Sequence, residues 1–233
     1  MKHITLLAAM AVSTFAMAQK EVGSATHHAG LGIHFSGERG PIDTLIPPSL
    51  AAGNFALYTS TSSGYVAGTN NFGDLAKVQV FNSTGTIHVE QLLFLFGARD
   101  ENGTPNAMVH ARVYSLDGPG TNTADASVST APGTVLGNMD IPISACDTTD
   151  LTIATFFPSI TLSGNFGGGF DVSDLAAGTE LGLITSSDND PGTADDQNWE
   201  ECSDGTWFTM SNATSSWGLH VDLAILAVLD DGF

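Results

Sequence analysis

The feature that most constrains the fold of this chain is a series of short segments in which apolar and polar residues alternate, each closed off by glycine, proline, asparagine or aspartate. From Ala107 to Tyr114, Val109, Ala111 and Val113 fall on one face and Met108, His110, Arg112 and Tyr114 on the other, the period of two required of a half-buried strand. Leu219 to Ile225 repeats it, with Leu219, Val221, Leu223 and Ile225 inward and His220 and Asp222 outward. Between Thr86 and Phe96 the alternation gives way to Leu92-Leu-Phe-Leu-Phe96, which places that strand mid-sheet with both faces covered. Further strands are expected over 77–81, 134–143, 151–157, 160–162, 169–172, 181–185 and 207–210. Asn102-Gly103, Asp117-Gly118-Pro119-Gly120, Ala131-Pro132-Gly133, Gly167-Gly168-Gly169 and Asp204-Gly205 read as the turns between them, with Pro132-Gly133 at the centre of a type II turn. No stretch sustains a 3.6-residue apolar period over three turns. The expected fold is all-β, an antiparallel β-sandwich, jelly-roll-like, over residues 51–233, preceded by an irregular Gly-, His- and Pro-rich arm over 19–50 with room for one short strand.

Ahead of the arm, residues 1–18 carry Lys2, an apolar run from Ile4 and the ending Ala16-Met17-Ala18. This is the pattern of a secretory signal peptide, too short to span a bilayer, and the remainder is expected to be secreted or displayed at a cell surface. Six Lys and Arg stand against 25 Asp and Glu, a formal charge of −19. Lys20, Arg39, Lys77, Arg99 and Arg112 are scattered singly, which excludes the clustered cations that hold a phosphate backbone. The partners such a surface fits are a glycan, an extracellular protein or a divalent cation, not nucleic acid. Cys146 and Cys202 are the only cysteines, and an even pair in an exported chain is expected to form a disulfide.

Ser187-Asp188-Asn189-Asp190-Pro-Gly-Thr-Ala-Asp195-Asp196 is the expected metal site. A glycine-bent loop can converge the oxygens of Asp188, Asn189, Asp190, Asp195 and Asp196 on calcium, although the twelve-residue EF-hand pattern is absent. Asp117 to Asp125 is a weaker version. Among the late aromatics, Trp217 is in phase with an inward face and reads as core, whereas Trp199, beside Gln197 and Asn198, reads as a ligand contact able to stack on a sugar. His27, His28 and His34 in the arm, and His88, His110 and His220 on outward strand positions, read as ordinary polar residues. With no G-x-S-x-G elbow, the chain is expected not to be an enzyme. The alternatives are a carbohydrate-active hydrolase using Glu200, Glu201 and Asp204, which only their separation in space decides, and a self-assembling surface subunit whose apolar tail over 223–229 adds to a neighbouring sheet.

Val109–Tyr114, Asp117–Gly120, Ala131–Gly137, Cys202-Ser-Asp-Gly-Thr-Trp207 and Trp217–Ala224 together resemble the β-sandwich modules of secreted surface proteins of Bacteroidota, over roughly Thr86 to Leu229. The resemblance implies a Gram-negative cell-surface protein that binds or adheres. Proteins of this kind carry a C-terminal sorting module for type IX secretion, whereas this chain stops at Asp230-Asp-Gly-Phe233 and is read as lacking it.

Overall fold

The computed structural model describes residues 20–29, 43–121, 131–190 and 197–230. The first strands are β1 (Val22–Ala29), β2 (Asp43–Leu45), β3 (Asn54–Ser60), β4 (Ala76–Phe81), β5 (Thr86–Phe94) and β6 (Phe96–Asp100). They are followed by β7 (Met108–Tyr114), β8 (Gly120–Thr121), β9 (Val135–Pro142), β10 (Thr152–Ser163) and β11 (Phe166–Asp171). The last are β12 (Glu180–Leu183), β13 (Thr185–Ser186), β14 (Asn198–Glu201), β15 (Trp207–Thr209) and β16 (Ile225–Asp230). Short 3-10 turns at Pro48–Ala52 and Ile143–Ala145 complete the described elements.

The molecule is an all-β sandwich. A seven-stranded sheet in the order β8-β15-β14-β4-β11-β7-β9 faces a four-stranded sheet, β10-β5-β16-β2. Smaller sheets, β1-β3-β13 and β12-β6, flank them. Pairing is antiparallel throughout except between β15 and β8. The alternating residues Val109, Ala111 and Val113 of β7 join Phe166 and Phe170 of β11 against Val89, Leu92 and Phe94 of β5 and Ile225, Ala227 and Leu229 of β16. Each fully buried side chain of this size contributes about 1.5–3 kcal/mol of transfer free energy. On the opposite face of the large sheet Ala76, Val78 and Val80 of β4 pack with Trp199 and Trp207. The large sheet is thus covered on both sides around β4 and β14.

Several expectations are corrected. The segment read as an irregular arm with one short strand supplies two, β1, paired with β3, and β2, paired with β16. The triple glycine is not a turn but the middle of β11. A Cβ on Gly168 would stand 2.8 Å from Leu92 Cδ2 and 2.9 Å from Phe81 Cε2, so glycine is what lets the opposing side chains close over the strand. Gly133 does not adopt the positive φ of a type II turn; its backbone runs against Asp117, whose Oδ1 would lie 2.1 Å from an added Cβ. The last strand starts at Ile225 rather than Leu219. Leu219, Val221 and Leu223 are buried as expected, but so is Asp222, because its carboxylate is held by internal donors described below. The apolar tail lies between β5 and β2 with both edges paired, so it offers no free edge to another copy.

Cys146 and Cys202 are both free and buried, and the expected disulfide is absent. Cys202 follows β14 and Cys146 follows β9, with β4, β11 and β7 intervening in the sheet. Four interstrand steps of about 4.8 Å separate those strands, far beyond the Cα separation of about 7 Å that a bridge tolerates. Burial pushes the Cys146 thiol up to about 12 and the Cys202 thiol up to about 11.

Candidate functional site

The inward face of β4 and β14 is polar. Register sets Glu200 opposite Lys77 and Asn198 opposite Gln79, and period-two alternation turns all four side chains into the sandwich. Asp74, just before β4, and Lys20, just before β1, complete a buried charge centre. Lys20 Nζ donates to Asp74 Oδ1 at 2.5 Å and to Glu200 Oε1 at 2.7 Å. Lys77 Nζ donates to Asp74 Oδ2 at 2.7 Å and to Glu200 Oε2 at 2.5 Å. The side chains of Asp74 and Glu200 are fully buried, and those of Lys77 and Lys20 are 1% and 6% exposed. Ser216 Oγ and Trp217 Nε1 each donate to Glu200 at 2.7 Å, and the Trp217 and Phe72 rings stand 5.3 and 5.7 Å from Lys20 Nζ.

Two ammonium groups against two carboxylates make the centre neutral, which is what permits its burial. Burial alone would raise the Asp74 carboxyl, but Lys77 and Lys20 overcome it and hold the group well below the usual carboxylate range. Burial would likewise lower Lys20, and Glu200 and Asp74 reverse the sign and hold its ammonium above the usual lysine value. Donor atoms of Asp74, Glu200 and Cys202 lie close enough to share a metal ion. The lysine ammonium groups already bond the two carboxylates, so the arrangement is that of a charge network rather than an open cation site.

Beside it, Asp222 accepts from Ser49 Oγ at 2.5 Å, from Ser49 N at 3.1 Å and from Gln79 Nε2 at 3.3 Å. Burial raises the Asp222 carboxyl, against the pull of these donors. Leu223 N donates to Gln79 Oε1 at 2.8 Å, so this cluster clamps the segment before β16 onto β4.

The residues singled out in the sequence fare differently. Trp199 is fully buried, packed under β4 with Trp207, because its position on β14 alternates with Glu200; it cannot stack on a sugar. Asn198 is also buried and donates to the Val221 carbonyl. Only Gln197 of that trio is half-buried. Glu200 and Glu201 are consecutive strand residues and face opposite sides of the sheet. Asp204 lies in the hairpin turn, accepting from Thr206 N at 2.9 Å. These three carboxylates do not face one another across a cleft. In the acidic loop, Asp188 Oδ1 accepts from His220 N at 2.8 Å and Asp190 Oδ2 from Ser187 N at 3.2 Å, with Asn189 in a left-handed conformation. Asp195 and Asp196 lie outside the described residues, as do His34 and residues 122–125 of the 117–125 segment. Lys20, Asp74 and Lys77 went unmarked by sequence reasoning. Lys77 and Gln79 within Ala76–Phe81 are the one available signal, two polar residues spaced to share a face.

The surface carries a second feature. Among the described residues the exposed large hydrophobics are Val135, Leu136, Met139, Ile153 and Phe157. All lie on β9 or β10, the strands that end the large and the four-stranded sheet. The two edges flank a groove of about 540 Å³ lined by Leu136 to Met139 and Thr155 to Thr161. Phe157, 98% exposed, projects where the β10 register shifts between Thr155 and Ile160. Ile160 closes the floor, its Cδ1 occupying the space where a Cβ on Gly137 would stand.

No protein-family model and no curated protein matches the sequence. Among solved structures, the chain is similar to the cysteine protease and lectin-like domains of Cwp84, a surface layer associated protein of Clostridium difficile, with a TM-score of 0.47 and 10% identity over 82% of this chain. The chain spans 36% of that structure. Beside a neighbour whose name includes a cysteine protease domain, the expectation that this chain is not an enzyme is withdrawn. No helix among the described residues is long and apolar enough to cross a membrane.

Proposed function

We propose that the protein is an exported surface module that binds an extended segment of another protein in the groove between β9 and β10. What carries this reading is the confinement of every exposed large hydrophobic among the described residues to those two strands. Leu136, Met139 and Phe157 line the groove together, and an exposed apolar patch on an otherwise acidic surface marks an interaction site. Both strands end their sheets, and an edge's free N–H and C=O groups are a template for an added strand, with the groove taking alternate side chains. The groove is lined by Leu136, Met139, Phe156, Phe157 and Ile160 among Asn, Ser and Thr side chains, and the three tryptophans that would platform a sugar are buried, which favours a peptide over a glycan. Every described Lys and Arg is already in an ion pair, so the outward field is that of the surplus carboxylates, and the segment that fits is apolar and basic. Export is supported by the leader at residues 1–18.

A displayed library of random linear peptides, selected against the full protein and against a glycan array in parallel, tests this. The expected outcome is enrichment of apolar, Lys- or Arg-bearing peptides whose binding falls at least tenfold in Phe157→Ser and Leu136→Thr, two exposed positions that leave the fold intact. Peptides binding both variants unchanged, or glycan binding that those substitutions abolish, would overturn the reading.

A further inference from the structure

We infer that the protein condenses the side-chain amine of Lys20 with the carboxyl group of Asp74 to form an internal amide, with Glu200 carrying the protons and Lys77 holding the carboxyl oxygen. The buried centre places four groups in four distinct roles. Lys20 Nζ lies 2.5 Å from Asp74 Oδ1; a nitrogen that close to a carboxyl oxygen is also near its carbon, and reacting atoms about 3–3.5 Å apart are in attack range. Glu200 Oε1 accepts from the same nitrogen at 2.7 Å, where a general base must stand. It is fixed there by Ser216 Oγ and Trp217 Nε1. The Lys77 ammonium, 2.7 Å from Asp74 Oδ2, is aimed at the oxygen on which negative charge develops, as an oxyanion stabiliser is.

The step balances without an oxidant or co-reactant. A proton passes from the Lys20 ammonium to Asp74 Oδ1, leaving a neutral amine and a neutral acid. The amine lone pair forms the N–Cγ bond while the carbonyl electron pair moves onto Oδ2 beside Lys77. Glu200 then takes a proton from the nitrogen and delivers it to Oδ1, which leaves as water as the carbonyl reforms. Two buried ion pairs become one, Lys77 with Glu200, and a neutral amide, which reduces the charge that the interior must hold. The side chains are 0 to 6% exposed and walled by Trp217 and Phe72, so bulk water is kept from the reacting carboxyl. Lys77 is the poorer nucleophile because its backbone is fixed within paired β4, whereas Lys20 precedes the first paired residue of β1, Val22. The bond would tie the β1 segment to β4 in a chain whose two cysteines are both free.

Intact-mass measurement of the purified full protein, reduced and denatured, tests this against the mass of the sequence from its observed N-terminus. The expected result is a deficit of one water, with a branched peptide joining Lys20 to Asp74 after digestion. A succinimide at Asp117-Gly118 would also lose water but yields no branched peptide. Lys20→Arg keeps a cation in the centre, sparing the fold, yet cannot condense, and should show full mass; Glu200→Gln keeps both reacting groups and should show full or only partly reduced mass. A folded wild-type protein at full mass, a deficit without the Lys20–Asp74 branch, or a complete deficit in Lys20→Arg overturns the inference. A complete deficit in Glu200→Gln overturns the role given to Glu200.

Discussion

Lys77 stands on a strand whose other face is fully apolar, and its ammonium is divided between Asp74 and Glu200. Replacing it with methionine keeps the length and apolar stem of the side chain but leaves the carboxylates one cation short. Breaking a buried pair from one side costs about 3–5 kcal/mol, so Lys77→Met is expected to lower the unfolding free energy from denaturant titration by an amount of that order. A loss below about 1 kcal/mol, typical of an exposed pair, would show that water reaches the centre. This role was only half legible in the sequence. The alternation in Ala76–Phe81 correctly separates Ala76, Val78 and Val80 from Lys77 and Gln79, but alternation says which residues share a face and not which face meets water. Here both are buried, the polar one against groups far away in the chain. The same ambiguity misplaced Trp199, whose polar neighbours suggested exposure although its strand position sets it under β4.

At the level of elements, the clearest alternating or continuous apolar runs became strands. β7 keeps Val109, Ala111 and Val113 inward, and β5 sits inside its sheet as its apolar run requires. β1, β2, β3 and β14 all lie outside the expected strands; β1, β2 and β14 are each short or glycine- and histidine-rich, and their pairing with β3, β16 and β4 supplies order that local preference does not. β7 is also tied to its neighbours by His110, whose ring nitrogens lie 2.7 Å from Asp140 on β9 and 3.0 Å from Asp174. Burial opposes protonation of this ring, and the two carboxylates overcome it, raising the group above its ordinary value. A raised histidine contributes stability that is fully present below the unfolded value of about 6.5 and is lost as pH rises through the folded value. A melting-temperature profile should therefore decline over that window in the wild type and decline less in His110→Gln. Parallel profiles for the two proteins would show that the imidazolium is not paired in solution.

Over the whole molecule, two faces of the sandwich are treated differently. The charge centre is held on β4 and β14, inside the large sheet, while the β9 and β10 ends meet at a groove with aliphatic and aromatic side chains turned outward. The fold class could be read from alternation and turn spacing. The groove could not, because Leu136, Met139 and Ile153 look like core residues in any strand and only the order of strands leaves them at an edge. Backbone amide hydrogen exchange, with and without a peptide selected for binding, tests the central claim most directly. New protection confined to Leu136–Asp140 and Thr155–Thr161 is the result this account predicts. Protection instead around the separate polar cleft lined by Asn70, Asn71, Ser173 and Glu180, with the β9 and β10 amides unchanged, would contradict it.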